Sequence, residues 1–195
     1  MTTETPSIER QLRALLGEQK DHEITLATAE SCTGGHIAAR ITSIAGSSAY
    51  FQGGVVSYAN DVKERVLGVP RAILENPGAV SEECARAMAE GARSLLGATL
   101  AVATTGIAGP EGGTARKPVG LVYIAIAAGT RTHVERHVFP GDRAAVINAA
   151  TERALELLLE NARALSRTAS PPWPSRGPSA GPPRAPRLAQ LTEHE

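Results

Sequence analysis

Apolar residues Ile8, Leu12, Leu15 and Leu16 recur at helical spacing behind Thr5 and Pro6, so the chain opens on a predicted helix with one apolar face. The period then changes. Ile24 to Thr28 reads as a short buried strand, and the small residues from Ala29 to Gly35 deliver the chain into a second helix over about His36 to Ile44. Phe51 to Tyr58 reads as a strand holding two glycines, which predicts a bulge or a close backbone approach. Asn60 is placed to cap a short helix ending at Gly68, and Ser81 to cap a longer one, Glu82 to Leu96, with acids in its first turn. Thr99 to Thr104 is the next strand. A glycine-rich loop, Gly106 to Pro118, precedes two more strands, Val119 to Ala128 and Thr132 to Phe139, predicted as a hairpin around Gly129. A last helix from about Arg143 to Leu165 turns Leu155, Leu158, Leu159 and Leu165 inward.

This alternation of strands and helices predicts an α/β chain: a single three-layer α/β/α domain over residues 1 to 166, with helices on both faces of a mostly parallel sheet. From Arg167 the composition shifts. Seven of the 13 prolines fall in the last 29 residues, together with Trp173, the only tryptophan, so residues 167 to 195 are expected to form a disordered, Pro-rich tail.

Charge and composition narrow the function classes. Twenty basic and 20 acidic side chains leave no net field to attract nucleic acid or an anionic membrane, and 42% hydrophobic residues suffice for a core. Apolar runs stay far below the roughly 18 residues of a membrane helix, and the opening residues lack the features of a secretory signal, so a cytoplasmic location is expected. Cys32 and Cys84 lie outside any CxxC pair, which argues against a disulfide framework or a structural zinc. His36 follows Cys32 by four residues, His133 and His137 share a strand, and His22 and His194 lie near predicted exposed ends; neither close pair has an obvious third ligand, so no metal is expected. The basic residues divide into 17 arginines and three lysines, Lys20, Lys63 and Lys117. Where Arg is the default cation, a lysine marks a place where an amine able to lose its proton can matter.

In sheets of this class, sites gather at loops leaving the carboxyl ends of strands. Thr28 to Gly35 offers a hydroxyl, a thiol and backbone amides at a helix start, where an oxyanion or phosphate can be stabilised; Ser and Thr there are also ordinary helix caps. Thr104 to Thr114 carries glycines that let amides approach an anion, but it lacks a GK[ST] ending and its glycine spacing misses the dinucleotide fingerprint. Kinase and dehydrogenase chemistry therefore drop out. What remains is a hydroxyl with a lysine: Lys63, shortly after the strand ending at Tyr58, can deprotonate a serine when neutral, and Tyr58 can relay the proton, orient the amine or simply pack.

Thr28-Ala-Glu-Ser-Cys-Thr-Gly-Gly35, Gly54-Val-Val-Ser-Tyr-Ala-Asn60 with Lys63 and Leu67-Gly-Val69, Gly78-Ala-Val-Ser-Glu82, Thr105-Gly-Ile-Ala-Gly-Pro110 with Lys117-Pro-Val-Gly120, and Phe139-Pro-Gly-Asp-Arg143 occur in this order. Together, over about residues 8 to 165, they resemble the CinA C-terminal-domain family, which includes nicotinamide-nucleotide amidases. The resemblance implies a cofactor-free enzyme that hydrolyses the carboxamide of nicotinamide mononucleotide to nicotinate mononucleotide and ammonia. It implies Ser31 as nucleophile, Lys63 as its base and Tyr58 as a supporting residue. It places Glu30, Thr33, Gly34 and Gly35 at the substrate, with the amides of Thr33 to Gly35 around the oxyanion; Thr105, Gly106, Ala108 and Gly109 would hold the nucleotide, and Arg143 its phosphate. Ile147 and Asn148 depart from the pattern, since many relatives carry a basic residue there. The expected partner is a small-molecule nucleotide, with a homodimer compatible. Two other readings stay open: an amidase for another carboxamide, and a non-catalytic ligand-binding module of the same fold.

Overall fold

The computed structural model describes residues 6–19 and 24–168. Of the tail expected from residue 167, Arg167 and Thr168 are helical instead, and the rest, with Trp173 and His194, lies outside the described residues, as do Thr5, Lys20 and His22. In chain order the elements are α1 (Ile8–Leu16), β1 (Leu26–Glu30), α2 (His36–Thr42), a 3-10 turn (Ser47–Ala49), β2 (Phe51–Val56), α3 (Asn60–Leu67), a short turn α4 (Arg71–Ile73) running into a π-helical turn (Leu74–Gly78), α5 (Glu82–Leu95), β3 (Leu100–Gly106), β4 (Leu121–Ala128), β5 (Arg131–Val138) and α6 (Arg143–Thr168). Among the described residues no helix is long and apolar enough to cross a membrane.

The five strands form one sheet in the order β2-β1-β3-β4-β5. β1 pairs parallel with β2 and β3, whereas β3 with β4 and β4 with β5 pair antiparallel. Only β4 runs against the rest, so the sheet is mostly parallel by strand direction but mixed in its ladders. Residues 107–120 return the chain beside β3 without a crossover helix, which forces the antiparallel neighbour.

Side chains alternate across the sheet, and the two faces differ in size. Leu26, Leu100, Val102, Val122, Ile124 and Ile126 point to one side, where they pack with Leu12 and Leu16 of α1, Ile37 and Ile41 of α2, and the inward leucines of α6. The other side is paved with alanines: Ala27, Ala29, Ala101, Ala103, Ala125 and Ala127 meet Ala85, Met88, Ala89 and Ala92 of α5 and Leu67 of α3. Small residues let α5 approach the sheet closely. Gly91 extends this to α3, because a Cβ there would sit 1.9 Å from the Leu67 carbonyl oxygen. A larger residue at such a contact is expected to cost about 1–3 kcal/mol through displaced backbone, and the helix displaced would be α3.

Local chemistry explains most boundaries. Ser81 caps α5 by accepting from the Cys84 amide at 3.2 Å, as expected. Gly68 ends α3 at φ +67°, the left-handed conformation that glycine tolerates best. The expected Asn60 cap does not form: Ala59 occupies the cap position with extended backbone, no side chain caps the helix, and Asn60 is the first helical residue. β1 begins two residues later than its apolar pattern implied, since the Thr25 amide goes to the Thr99 hydroxyl, and it extends to Glu30 because both neighbours continue the ladder. The glycines of β2 coincide with a register shift, with Leu26 opposite Phe51 but Ala27 opposite Gly53, and with a close approach of Gly54 to the Thr28 hydroxyl.

Candidate active site

β1 sends its chain through α2 toward β2 on one face, while β2 returns through α5 to β3 on the other, so a crevice opens where β1 and β3 end. Ser31 lies one residue past β1, Ser57 and Tyr58 just past β2, and Thr105 and Gly106 at the end of β3. A cavity of about 310 Å³ occupies this place, and its wall includes Ser31, Tyr58, Lys63, Thr105, Gly106, Ala108, Gly109 and Arg143. Eight residues expected at the site from sequence thus converge.

Lys63 is 1% exposed. Its Nζ lies 3.0 Å from Ser31 Oγ, 2.7 Å from the Ser57 carbonyl oxygen and 3.2 Å from that of Tyr58. Among the described residues no carboxylate forms an ion pair with it, and burial pushes its ammonium below the ordinary lysine value. The ligand set defines what the amine does once neutral. Two carbonyls can only accept, so they fix the two remaining N–H groups, and the lone pair is left for the Ser31 hydroxyl. An ammonium donates to all three oxygens; a neutral amine accepts from Ser31.

Cys32, the neighbouring thiol, is buried, and that burial pushes it up to about 11, so it is protonated at neutral pH. Cys84 is raised to about 11 for the same reason.

Four residues expected at the substrate stand elsewhere. Glu30 is fully buried, and its carboxylate accepts from the Thr33 hydroxyl at 2.7 Å and the amides of Gly35, Ile37 and Ala38 at 2.9, 3.1 and 2.9 Å. It neutralises the positive end of α2 from inside, so that helix start is closed to a substrate anion. Thr33 is buried with its hydroxyl between Glu30 and Thr104. The Gly34 amide donates to the Ser31 carbonyl at 3.2 Å and the Gly35 amide to Glu30, which removes both from the expected oxyanion site. Neither the Cys32 nor the Thr33 amide makes a hydrogen bond to another described residue, and of the two residues Cys32 stands on the cavity wall, so its amide is the backbone donor beside Ser31 that faces the cavity.

Of the roles expected for Tyr58, contact with the lysine amine is made by its backbone rather than its phenol. The residue is 59% exposed; its carbonyl holds Lys63, while its phenol accepts from Arg143 Nη2 at 3.0 Å. Arg143 Nη1 donates to the Gly109 carbonyl at 3.0 Å, which ties the start of α6 to the glycine-rich loop. The Thr105 hydroxyl is spent on the Ala79 carbonyl at 2.7 Å. Beyond Arg143 and Ala108 lies a second cavity of about 720 Å³, lined also by His36, Ile147 and Asn148. Sequence reasoning missed the cavity-wall residues Asn60, Val80 and Glu111. For Asn60 a signal existed: it precedes Lys63 by three, the same face of a helix.

The comparisons agree with this architecture. The family model described as CinA C-terminal domain matches residues 7–162. A CinA-like protein of Geobacter sulfurreducens is 55% identical over 139 residues, 71% of this chain and 34% of that protein. One from Gemmatimonas aurantiaca is 46% identical over 166 residues, 84% and 38% of the two chains. The chain thus spans about a third of the length of these curated relatives. Among solved structures, the competence/damage inducible protein CihA of Agrobacterium tumefaciens aligns with a TM-score of 0.74 at 41% identity, covering 82% of this chain and 98% of that one. A CinA superfamily protein of Escherichia coli aligns with a TM-score of 0.74 at 33% identity, covering 83% and 94%. With a matching family model over most of its length and solved relatives that share its fold, the chain belongs to the CinA C-terminal domain family.

Proposed function

We propose that this protein is an amidohydrolase that cleaves the carboxamide of nicotinamide mononucleotide, with Ser31 as nucleophile and Lys63 as its base. The observation that carries this reading is the 3.0 Å contact on a cavity wall between a serine hydroxyl and a buried lysine that forms no ion pair among the described residues. The lysine's lowered proton affinity supports it, because a base must be neutral for part of the time at working pH.

The steps balance on these two residues. Ser31 Oγ bonds to the carboxamide carbon as its proton passes to Lys63 Nζ, and the carbonyl oxygen takes up negative charge beside the Cys32 amide. The C–N bond breaks as Lys63 returns the proton to the leaving nitrogen, and ammonia departs from an acyl-serine. Water then attacks the acyl carbon and gives its proton to Lys63. The C–Oγ bond breaks, Lys63 reprotonates Ser31, and the carboxylic acid leaves and loses its proton to solvent. In this reading Arg143, which lines both cavities, binds the nucleotide phosphate.

The test measures ammonia released from nicotinamide mononucleotide, nicotinamide riboside, nicotinamide and unrelated carboxamides by the wild type and Ser31→Ala. The mononucleotide should be the best substrate and the variant inert. No ammonia from any amide would leave a ligand-binding module as the surviving reading, and preference for an unrelated amide would reassign the substrate.

A further inference from the structure

We propose that Asn60 contacts the substrate, donating from its side-chain Nδ2 to the carbonyl oxygen of the reacting carboxamide. This rests on the amidase reading above and assigns a second donor to the same site.

The helix does not employ Asn60. An asparagine at a helix start ordinarily caps it, but Ala59 holds the cap position and no side chain caps α3. The Asn60 side chain makes no hydrogen bond to any described residue, yet it forms part of the cavity wall with Ser31 and Lys63. It is the only carboxamide side chain on that wall among the described residues.

Its position follows from helix geometry. Asn60 and Lys63 are three apart on α3, on one face, and helical side chains lean toward the helix N-terminus. Lys63 leans far enough to reach the carbonyls of Ser57 and Tyr58, which precede the helix. Its Nζ therefore lies beside the turn that carries Asn60, and the Ser31 hydroxyl is at that Nζ.

The chemistry creates the demand. Attack by Ser31 puts negative charge on the carbonyl oxygen, and such oxygens are held by preorganised donors. Glu30 occupies the start of α2 and the amides of Gly34 and Gly35 are engaged; of the unengaged Cys32 and Thr33 amides, that of Cys32 belongs to the cavity wall and is the backbone donor there. Arg143 is bound to Gly109 and Tyr58, and the Thr105 hydroxyl donates to Ala79. Asn60, exposed and on the same cavity wall, supplies an uncommitted, neutral N–H for that second donor.

The experiment compares wild type, Asn60→Ala, Asn60→Asp and Ser31→Ala in steady-state ammonia release and thermal melting. Loss of a transition-state donor typically lowers kcat by about 10²–10³-fold, so Asn60→Ala should lower kcat and kcat/KM together, at least tenfold. Asn60→Asp, equal in shape but without the N–H, should do no better than Asn60→Ala. Melting temperatures should stay within about 3 °C of wild type, since no native hydrogen bond is lost. A kcat within tenfold of wild type for either variant overturns the inference, as does a rise in KM alone. A larger melting shift accompanying the loss shows a structural role and also overturns it. Failure of the amidase reading looks different: the wild type then releases no ammonia from any amide, and the inference falls with it.

Discussion

Arg143 donates to the phenol oxygen of Tyr58 across 3.0 Å, joining the first residue of α6 to the segment after β2, 85 positions earlier in the chain. The bond lies at the exposed rim and stands apart from the Lys63 amine, which Tyr58 holds through its carbonyl. Tyr58→Phe therefore keeps the lysine in place and removes one exposed hydrogen bond, usually worth about 0.5–1.5 kcal/mol. Its kcat should stay within about tenfold of wild type, roughly 1.4 kcal/mol of barrier. Arg143→Ala should instead raise KM for the mononucleotide while leaving hydrolysis of the riboside, which lacks the phosphate, little changed. A kcat loss of about a hundredfold in Tyr58→Phe would return the phenol to proton transfer.

Lys63→Arg separates base from anchor. Guanidinium keeps the charge but cannot lose its proton, so if Lys63 is the base, Lys63→Arg should be about as inactive as Lys63→Ala in protein that circular dichroism shows to be folded. An arginine variant within about tenfold of wild type would refute the role. In the wild type, kcat/KM should rise with pH through the lowered lysine value as the amine becomes neutral.

The same buried amine makes stability depend on pH in a definite direction. Its folded-state proton affinity is lowered, so between that value and the unfolded reference of about 10.4 the unfolded chain binds the extra proton. Unfolding free energy of the wild type relative to Lys63→Met should rise with pH across this window and be flat below it. Urea denaturation at a series of pH values measures the slope, and a difference that falls with pH would contradict the assignment.

Ser31 and Cys32 are adjacent, and only one can be the nucleophile. With its thiol held at about 11, Cys32 should resist iodoacetamide in the folded protein at neutral pH, and Cys32→Ala should retain most of the activity. Ser31→Ala should abolish it. The reverse pair of results would define a cysteine hydrolase.

Glu30→Gln tests the support beneath the nucleophile. The variant keeps the shape but turns an NH₂ toward backbone amides that now donate to a carboxylate oxygen, a loss of about 1–3 kcal/mol for one buried unsatisfied contact. At roughly 2–4 °C per kcal/mol for a chain of this size, the melting temperature should fall by several degrees. An unchanged melting curve combined with lost activity would return Glu30 to the substrate.

Local chemistry by itself determined the order of elements, the Ser81 cap, the Gly68 stop and the bulged glycine strand, because caps, left-handed stops and apolar periods act within a few residues. The motif pattern also brought Ser31 and Lys63 together by resemblance. Only the tertiary structure decided what the polar side chains between them do. Glu30 and Thr33 sit in the same motif as Ser31, yet β1 alternation turns Glu30 under α2, where helix amides claim its carboxylate. Tyr58 divides its backbone and its phenol between two partners, one of them arriving from α6. Asn60 lost its cap role to the backbone of Ala59 and gained a place on the cavity wall. Each of these outcomes depends on groups far apart in sequence competing for the same donors and acceptors, and that competition is settled only once the sheet, α2, α3 and α6 are packed.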